Sequence, residues 1–245
     1  MRSTKTLIAL TLCAWVLPSV ARASAPKAVD GWRIQQRCIL QGDEQIVACS
    51  QGVKVYNPKN DLTIVYAAPF KEVVYFDKRT GLVCKVPAGK NDNPYQRTIG
   101  MFSGLSLADV PLHKVASSKV VDLPTDNFVS GPEYAAEQLK LAKAEGHGNR
   151  IKFVAYGVFT SLQLPANEYE FLAKQYGLPH KTVVGVPAHL LYKSISDKST
   201  VFLSTQSCSK AKISESEFAV PPNLKPANSS QAVVAGDNAG MLLLF

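Results

Sequence analysis

The hydrophobic and polar positions of this chain alternate over short runs, and the runs predict strands far more often than helices. Ile151, Phe153, Ala155 and Gly157 share one side of an extended segment, with Val154, Tyr156, Val158 and Thr160 on the other. A β-branched and aromatic run of this kind suits a pleated, half-buried surface. The period then changes. After Leu164-Pro165, the segment Ala166 to Tyr176 places Tyr169, Leu172, Ala173 and Tyr176 at helical spacing. Asn167 with Glu170 three residues on reads as a capping box, or Pro165 as the first helical residue. Gly177 and Pro179 stop the helix. Thr182 to Val186 and Ala188 to Tyr192 resume extended structure, so Arg150 to Pro187 predicts a helix pinned between strands of one sheet.

The same alternation organises the first third of the chain. Gly31 to Leu40 and Gln45 to Cys49 predict two strands about a turn at Gly42-Asp43-Glu44. Val53 to Tyr56, Leu62 to Tyr66, Val73 to Phe76 and Leu82 to Val86 follow. They are separated by the turns Asn57 to Asp61 and Asp77 to Gly81. Connections this short make an antiparallel meander. From residue 91 to 149 the period is lost, except for a helix over Glu133 to Glu145, and the segment is expected to cover or flank the sheet. Thr200 to Thr205 and Cys208 to Ile213 predict late strands, and Pro221-Pro222 ends regular pairing. Residues 223–245, rich in Ser, Asn and Gly up to the apolar Met241 to Phe245, are expected to be a flexible tail.

Composition adds a compartment. Arg2 and Lys5 precede the apolar Leu7 to Leu17, and Ala21-Arg22-Ala23 is an A-x-A cleavage pattern, so residues 1–23 predict a secretory signal peptide. Residues 24–222 then form one α+β domain in a periplasmic or secreted protein. Cys13 lies inside the leader, and Leu12 before it is too large for a lipidation site. The net charge of +8 falls to about +5 once the three basic residues of the leader are removed. The remaining basic residues are scattered and not interleaved with aromatics, which argues against nucleic acid. No later segment is long and apolar enough for a transmembrane helix.

Four cysteines remain: Cys38, Cys49, Cys84 and Cys208. An even number in an exported chain predicts disulfides, with three pairings possible. A four-residue loop over Gly42 to Gln45 would set Cys38 opposite Cys49 and leave Cys84 with Cys208.

Catalytic and metal chemistry finds no support. The four histidines, His113, His147, His180 and His189, carry no motif, and Gly104-Leu105-Ser106-Leu107-Ala108 is only a near miss to a nucleophile elbow. There is no phosphate loop, dinucleotide fingerprint or zinc spacing, and no cofactor is expected. Glu168 and Glu170, two apart on the helix, do not face each other.

The meander with its hairpin Val74-Tyr75-Phe76-Asp77-Lys78-Arg79-Thr80-Gly81, followed by Val201-Phe202-Leu203-Ser204-Thr205 and Phe218-Ala219-Val220-Pro221-Pro222, resembles the periplasmic lipoprotein-carrier (LolA/LolB-like) superfamily. The resemblance spans about Trp32 to Val86 and Ile151 to Pro222. It implies a curved antiparallel half-barrel sheet with a few helices on its concave face, and a lipid or lipidated protein as ligand. It transfers no functional residue. On this reading Tyr169, Leu172 and Tyr176 of the helix, with Phe153, Tyr156 and Leu191 of the sheet, are the candidate ligand-binding residues. Two functions follow: a non-enzymatic exported protein that binds an apolar ligand, or a structural or interaction protein of the cell envelope with no small-molecule ligand.

Overall fold

The structure is a computed structural model that describes residues 28–91, 107–146, 150–178 and 183–235. The expected leader and the apolar end at Met241 to Phe245 lie outside the described residues.

Twelve strands form one open, curled sheet in the order β12-β6-β5-β4-β3-β2-β1-β11-β10-β9-β8-β7. The first six are β1 (Ala28–Cys38), β2 (Gly42–Cys49), β3 (Gly52–Asn57), β4 (Leu62–Ala67), β5 (Glu72–Asp77) and β6 (Leu82–Pro87). They make the expected antiparallel meander, each pairing with the next. A second antiparallel set follows: β7 (Leu112–Val120), β8 (Leu123–Ser130), β9 (Ile151–Phe159), β10 (Val186–Ser194) and β11 (Ser199–Ser214). The sixteen-residue β11 joins the two sets, because β10 pairs with its first part and β1 with it from Leu203 to Ser214. The two late strands expected from sequence are therefore one. The segment expected to flank the sheet instead extends it, since Leu112 to Ser130 pairs with β9 as the last hairpin.

Helix α1 (Pro132–Glu145) packs on β9 and ends at Gly146, whose φ of 73° is left-handed. Helix α2 (Ala166–Gln175) lies between β9 and β10 in sequence, as expected. Its start differs from the capping reading. Pro165 precedes the first turn, and its carbonyl accepts from the Glu168 and Tyr169 amides, with no side-chain cap. Its end agrees: Gly177 has φ 62°, and the Leu178 amide donates to the Ala173 carbonyl.

Each face of the sheet has its own apolar cluster. On the inner face one cross-strand row reads Cys208, Ile34, Ile46, Val55, Ile64, Tyr75, Cys84. All seven residues belong to, or pack on, the main core. Phe171, Leu172, Ala173 and Tyr176 of α2 and its C-terminal turn, with Val233 of a short helix α3 (Ser230–Ala235), complete it.

The outer face has a smaller cluster of Val47, Cys49, Val65, Phe76, Ile213 and Phe218. It is covered by the chain after β11, which turns through Glu215–Phe218 and lays Val220 and Leu224 on the same cluster. The chain then passes the edge, pairing Lys225–Pro226 (β12) in parallel with Leu82 and Val83, before α3 reaches the inner face. Regular structure therefore continues into the expected tail as far as Ala235. Glu217 fastens this strap, accepting from Arg33 at 2.5 Å and from Lys54 at 2.9 Å. The Glu217 carboxyl is held below its ordinary range by these two cations, Lys54 first. Glu217→Ala is expected to lower stability by about 1 kcal/mol in urea denaturation, because only a three-group network at a partly exposed site is lost. An unchanged midpoint would show that Phe218 alone holds the strap.

The cysteines do not pair; all four are free thiols. The first turn falls on Ile39 to Gln41, and Gly42, with φ 84°, already begins β2. The register therefore sets Cys38 opposite Gly42 and Cys49 opposite Gly31. The two cysteines are seven residues apart along the ladder, about 24 Å at strand rise. Cys84 and Cys208 end the seven-residue inner row, six strand spacings or about 29 Å apart along the sheet. A disulfide needs Cα atoms within about 7 Å.

Candidate functional site: the inner face beneath helix α2

Helix α2 lies on the inner face. At its N-terminal end Phe171 stacks on Tyr66 with ring centroids 5.1 Å apart, and Tyr66 in turn meets the edge of Phe70. Asn167 Nδ2 lies 3.5 Å from the Tyr66 hydroxyl. Tyr66 belongs to the inner row Trp32, Ala48, Val53, Tyr66, Val73. At the other end the Tyr176 hydroxyl donates to Glu44 Oε2 at 2.7 Å. Glu44 faces Gln36 across the β1–β2 ladder. Gln36 Nε2 donates to the Pro187 carbonyl at 2.6 Å and to Thr205 Oγ1 at 2.9 Å. A ten-residue helix, about 15 Å long, thus bridges an aromatic end and a polar end of the apolar inner face.

The buried side of α2 consists of Glu168, Phe171, Leu172, Ala173 and Gln175. Positions 168, 171, 172 and 175 have the i, i+3, i+4, i+7 spacing of one helical stripe. A glutamate therefore occupies a place in the apolar stripe. Glu168 has no exposed surface, and neither carboxylate oxygen has a hydrogen-bond partner. Burial pushes its carboxyl up to about 8. Glu44 is also buried, and burial pushes it up to about 7 against the lowering effect of the Tyr176 hydroxyl. Both are carboxylic acids, able to donate a hydrogen bond, at mildly acid pH. Burial raises the Cys38 thiol beside Glu44 to about 11, and the Tyr176 phenol well above its ordinary value. Two further buried polar atoms on this face have no partner: Gln36 Oε1 and the Tyr156 hydroxyl.

The sequence-predicted residues divide between faces. Leu172, Tyr176 and Tyr156 have no exposed surface and belong to the inner core. Tyr169 is half-buried at the helix flank, where its hydroxyl donates to the Leu162 carbonyl at 2.5 Å and accepts from the Leu164 amide at 2.8 Å. It holds the loop before α2. Phe153 and Leu191 are not brought to this site. Leu191 pairs with the exposed Val201, on the side opposite the buried Leu190. Phe153 pairs with Lys193, whose ammonium sits 5.9 Å from its ring centroid in a notch beside α1. Strand parity left the inward face of the sheet undecided, and bulges at Pro187/His189 and Leu190/Leu191 of β10 break it further. Sequence reasoning missed Phe171, Glu168, Glu44 and Gln36. The helical stripe through Phe171 was available to find the first two. Glu44 and Gln36 required the true turn position.

A depression of about 410 Å³ lies on the outer face between the strap and the sheet, lined by Arg33, Lys54, Lys78, Tyr56, Glu217 and Ser216 among others. No group of metal-ligating side chains occurs among the described residues, and no helix there is long and apolar enough to cross a membrane.

No family model matches this chain, and no curated protein matches it. Solved structures with a similar arrangement include the MucA/MucB complex of Pseudomonas aeruginosa, at 10% identity and a TM-score of 0.41, covering 82% of this chain and 59% of that one. They include a LolA superfamily protein from Nitrosomonas europaea, at 9% identity and a TM-score of 0.25, covering 80% and 91%. A third is an uncharacterised conserved protein from Thermus thermophilus, at 8% identity and a TM-score of 0.37, covering 80% and 89%. Each of these likenesses is weak in identity and in TM-score.

Proposed function

We propose that this is an exported, non-enzymatic binding protein of the periplasm whose inner face takes the apolar part of a lipid or lipidated partner beneath α2. The observation that carries this is the set of partnerless polar atoms inside an otherwise apolar face: both oxygens of Glu168, Gln36 Oε1 and the Tyr156 hydroxyl. A buried polar group without a partner costs about 1–3 kcal/mol, and the polar end of a bound ligand would satisfy such groups. A mostly apolar site with a few polar handles is the usual composition of a ligand site. Leu172, Tyr176 and Tyr156 wall this site, and Tyr169 sets the loop that leads into α2.

The test is titration of the delipidated protein with a fluorescent fatty acid and a fluorescent phospholipid, paired with native mass spectrometry of protein taken from its own compartment. Saturable binding, competed by unlabelled lipid and weakened several-fold in Trp32→Ala, is expected. No probe binding and no co-purifying lipid would overturn the reading.

One observation favours an interaction protein instead. β7 is a nine-residue edge strand exposed from His113 to Lys119, Val115 included, whereas the opposite edge is covered by β12 and α3. An open edge of this length can accept an extended segment of a partner by strand addition. Protection of β7 amides by such a partner, together with absent probe binding, would decide for it.

A further inference from the structure

Helix α2 is attached to the inner face at two points, and each has a buried carboxyl. Near its N-terminal end Glu168 points into the face with no partner for either oxygen. Just past its C-terminal end Tyr176 closes on Glu44 at 2.7 Å. The apolar surface between them, Phe171 and Leu172 against the inner row, tolerates these groups only while they are neutral. An isolated buried carboxylate is far more costly than a buried acid.

We propose that α2 is a proton-latched lid over the inner face, closed while Glu44 and Glu168 carry protons and released when they ionise.

The surroundings offer no compensating charge. From β1 the Cys38 thiol lies beside Glu44, and just past the end of α2 the Tyr176 phenol donates to it; neither carries a positive charge, and the phenol's hydrogen bond offsets only part of the effect of burial. From β2 the Cys49 thiol is the titratable group that feels Glu168. β10, on which α2 packs, contributes the apolar Val186, Ala188 and Leu190 on its buried side. Neither carboxyl takes part in an ion pair among the described residues. The one ion pair within the helix, Lys174 with Glu170 at 2.5 Å, lies on its solvent side, both groups being about half exposed.

The direction follows from linkage. A carboxyl that binds its proton more tightly in the closed state favours closure at low pH and loses that effect as pH rises. With Glu44 at about 7 and Glu168 at about 8, release runs from mildly acid to mildly alkaline pH. Closure should weaken about tenfold per pH unit for each carboxyl across this window and level off above it. The latch does not depend on what the inner face binds, so its failure and that of the binding proposal are separately visible.

The experiment is hydrogen exchange by mass spectrometry on the whole protein from pH 5 to 8.5, expressed as protection factors. Peptides covering 166–176 are compared with those of β3 to β5. Protection of α2 is expected to fall at least tenfold over this range while β3 to β5 hold theirs, and the fall is expected to vanish in Glu44→Gln/Glu168→Gln. Constant α2 protection in the parent, or an undiminished fall in the double variant, overturns the proposal. If the double variant does not fold, Glu168→Gln alone should remove a substantial part of the slope, and an unchanged slope there is equally decisive.

Discussion

Leu172→Ala is expected to lower the stability of the protein by about 2–5 kcal/mol. For a chain of this size that is a fall in Tm of roughly 4–20 °C. Leu172 has no exposed surface and sits in the middle of the stripe that α2 lays on the inner face. Truncation removes three carbon atoms from a site whose walls belong to different strands and cannot all move inward together. The cost therefore includes a cavity as well as lost transfer free energy. Trp32, on the inner face and 7% exposed, is the only tryptophan among the described residues and reports the transition by fluorescence in urea. A loss under about 1 kcal/mol would mean that α2 contributes little to the fold as a whole and that the inner face is stable uncovered.

Global stability is expected to depend on pH in a direction set by the same two carboxyls. Both are raised in the folded protein above the ordinary carboxylate value, to about 7 for Glu44 and about 8 for Glu168. Their contribution is fully present below the range in which the unfolded chain titrates. It is lost progressively as pH rises through about 7 and then 8, and is flat beyond. Shifts of this size correspond to something on the order of 3–5 kcal/mol for each group. Other carboxyls act in the opposite sense. Asp43 beside Arg37, Asp126 beside Lys114, and Glu217 beside Lys54 and Arg33 are held below their ordinary range, so they stabilise the fold as pH rises out of the acid region. The quantity to measure is therefore the difference between the parent and Glu44→Gln/Glu168→Gln in urea titrations at pH 5, 6, 7 and 8. The variant should gain on the parent steadily across the series. A difference that does not change with pH would show that both carboxyls ionise in the fold without penalty.

The hydrogen-exchange and equilibrium measurements address different events. The first reads local opening of one helix, which can occur at a free energy well below that of global unfolding. The second reads the whole molecule. If α2 opens locally at high pH, global stability loses pH dependence above the point of release, because the two carboxyls are then solvated in both states. Agreement of the two midpoints would place the latch where the geometry puts it, at the two ends of α2.

Much of this fold is local in origin and could be read from residue order. The meander β1 to β6 follows from period-two alternation and from turns whose Asn, Asp and Gly residues signal themselves, as at Asn57 to Asp61 and at Gly81, with φ 70°. Helix α2 follows from its 3.6-residue stripe and its Gly177 stop, and its position between two neighbouring antiparallel strands follows from the chain on either side. What local pattern did not determine is equally specific. The first turn carries apolar Ile39 and Leu40, both exposed, so hydrophobicity placed a strand where the chain actually reverses. That error moved the β1–β2 register by seven residues and paired two distant cysteines. It also hid the facing of Glu44 and Gln36. The weakly patterned Leu112 to Ser130 became strands because β9 offered an unpaired edge, a long-range cause that no short window contains. Phe153 turned outward because it and Tyr156 lie on opposite sides of β9 and the curl encloses Tyr156, and Leu191 did so on β10, where bulges change the parity along the strand. The carboxyls of Glu44 and Glu168 are ordinary surface groups by sequence. Only the packing of α2 across the curled sheet withdraws both from water, and it is that withdrawal, not their residue type, that makes them sensitive to pH.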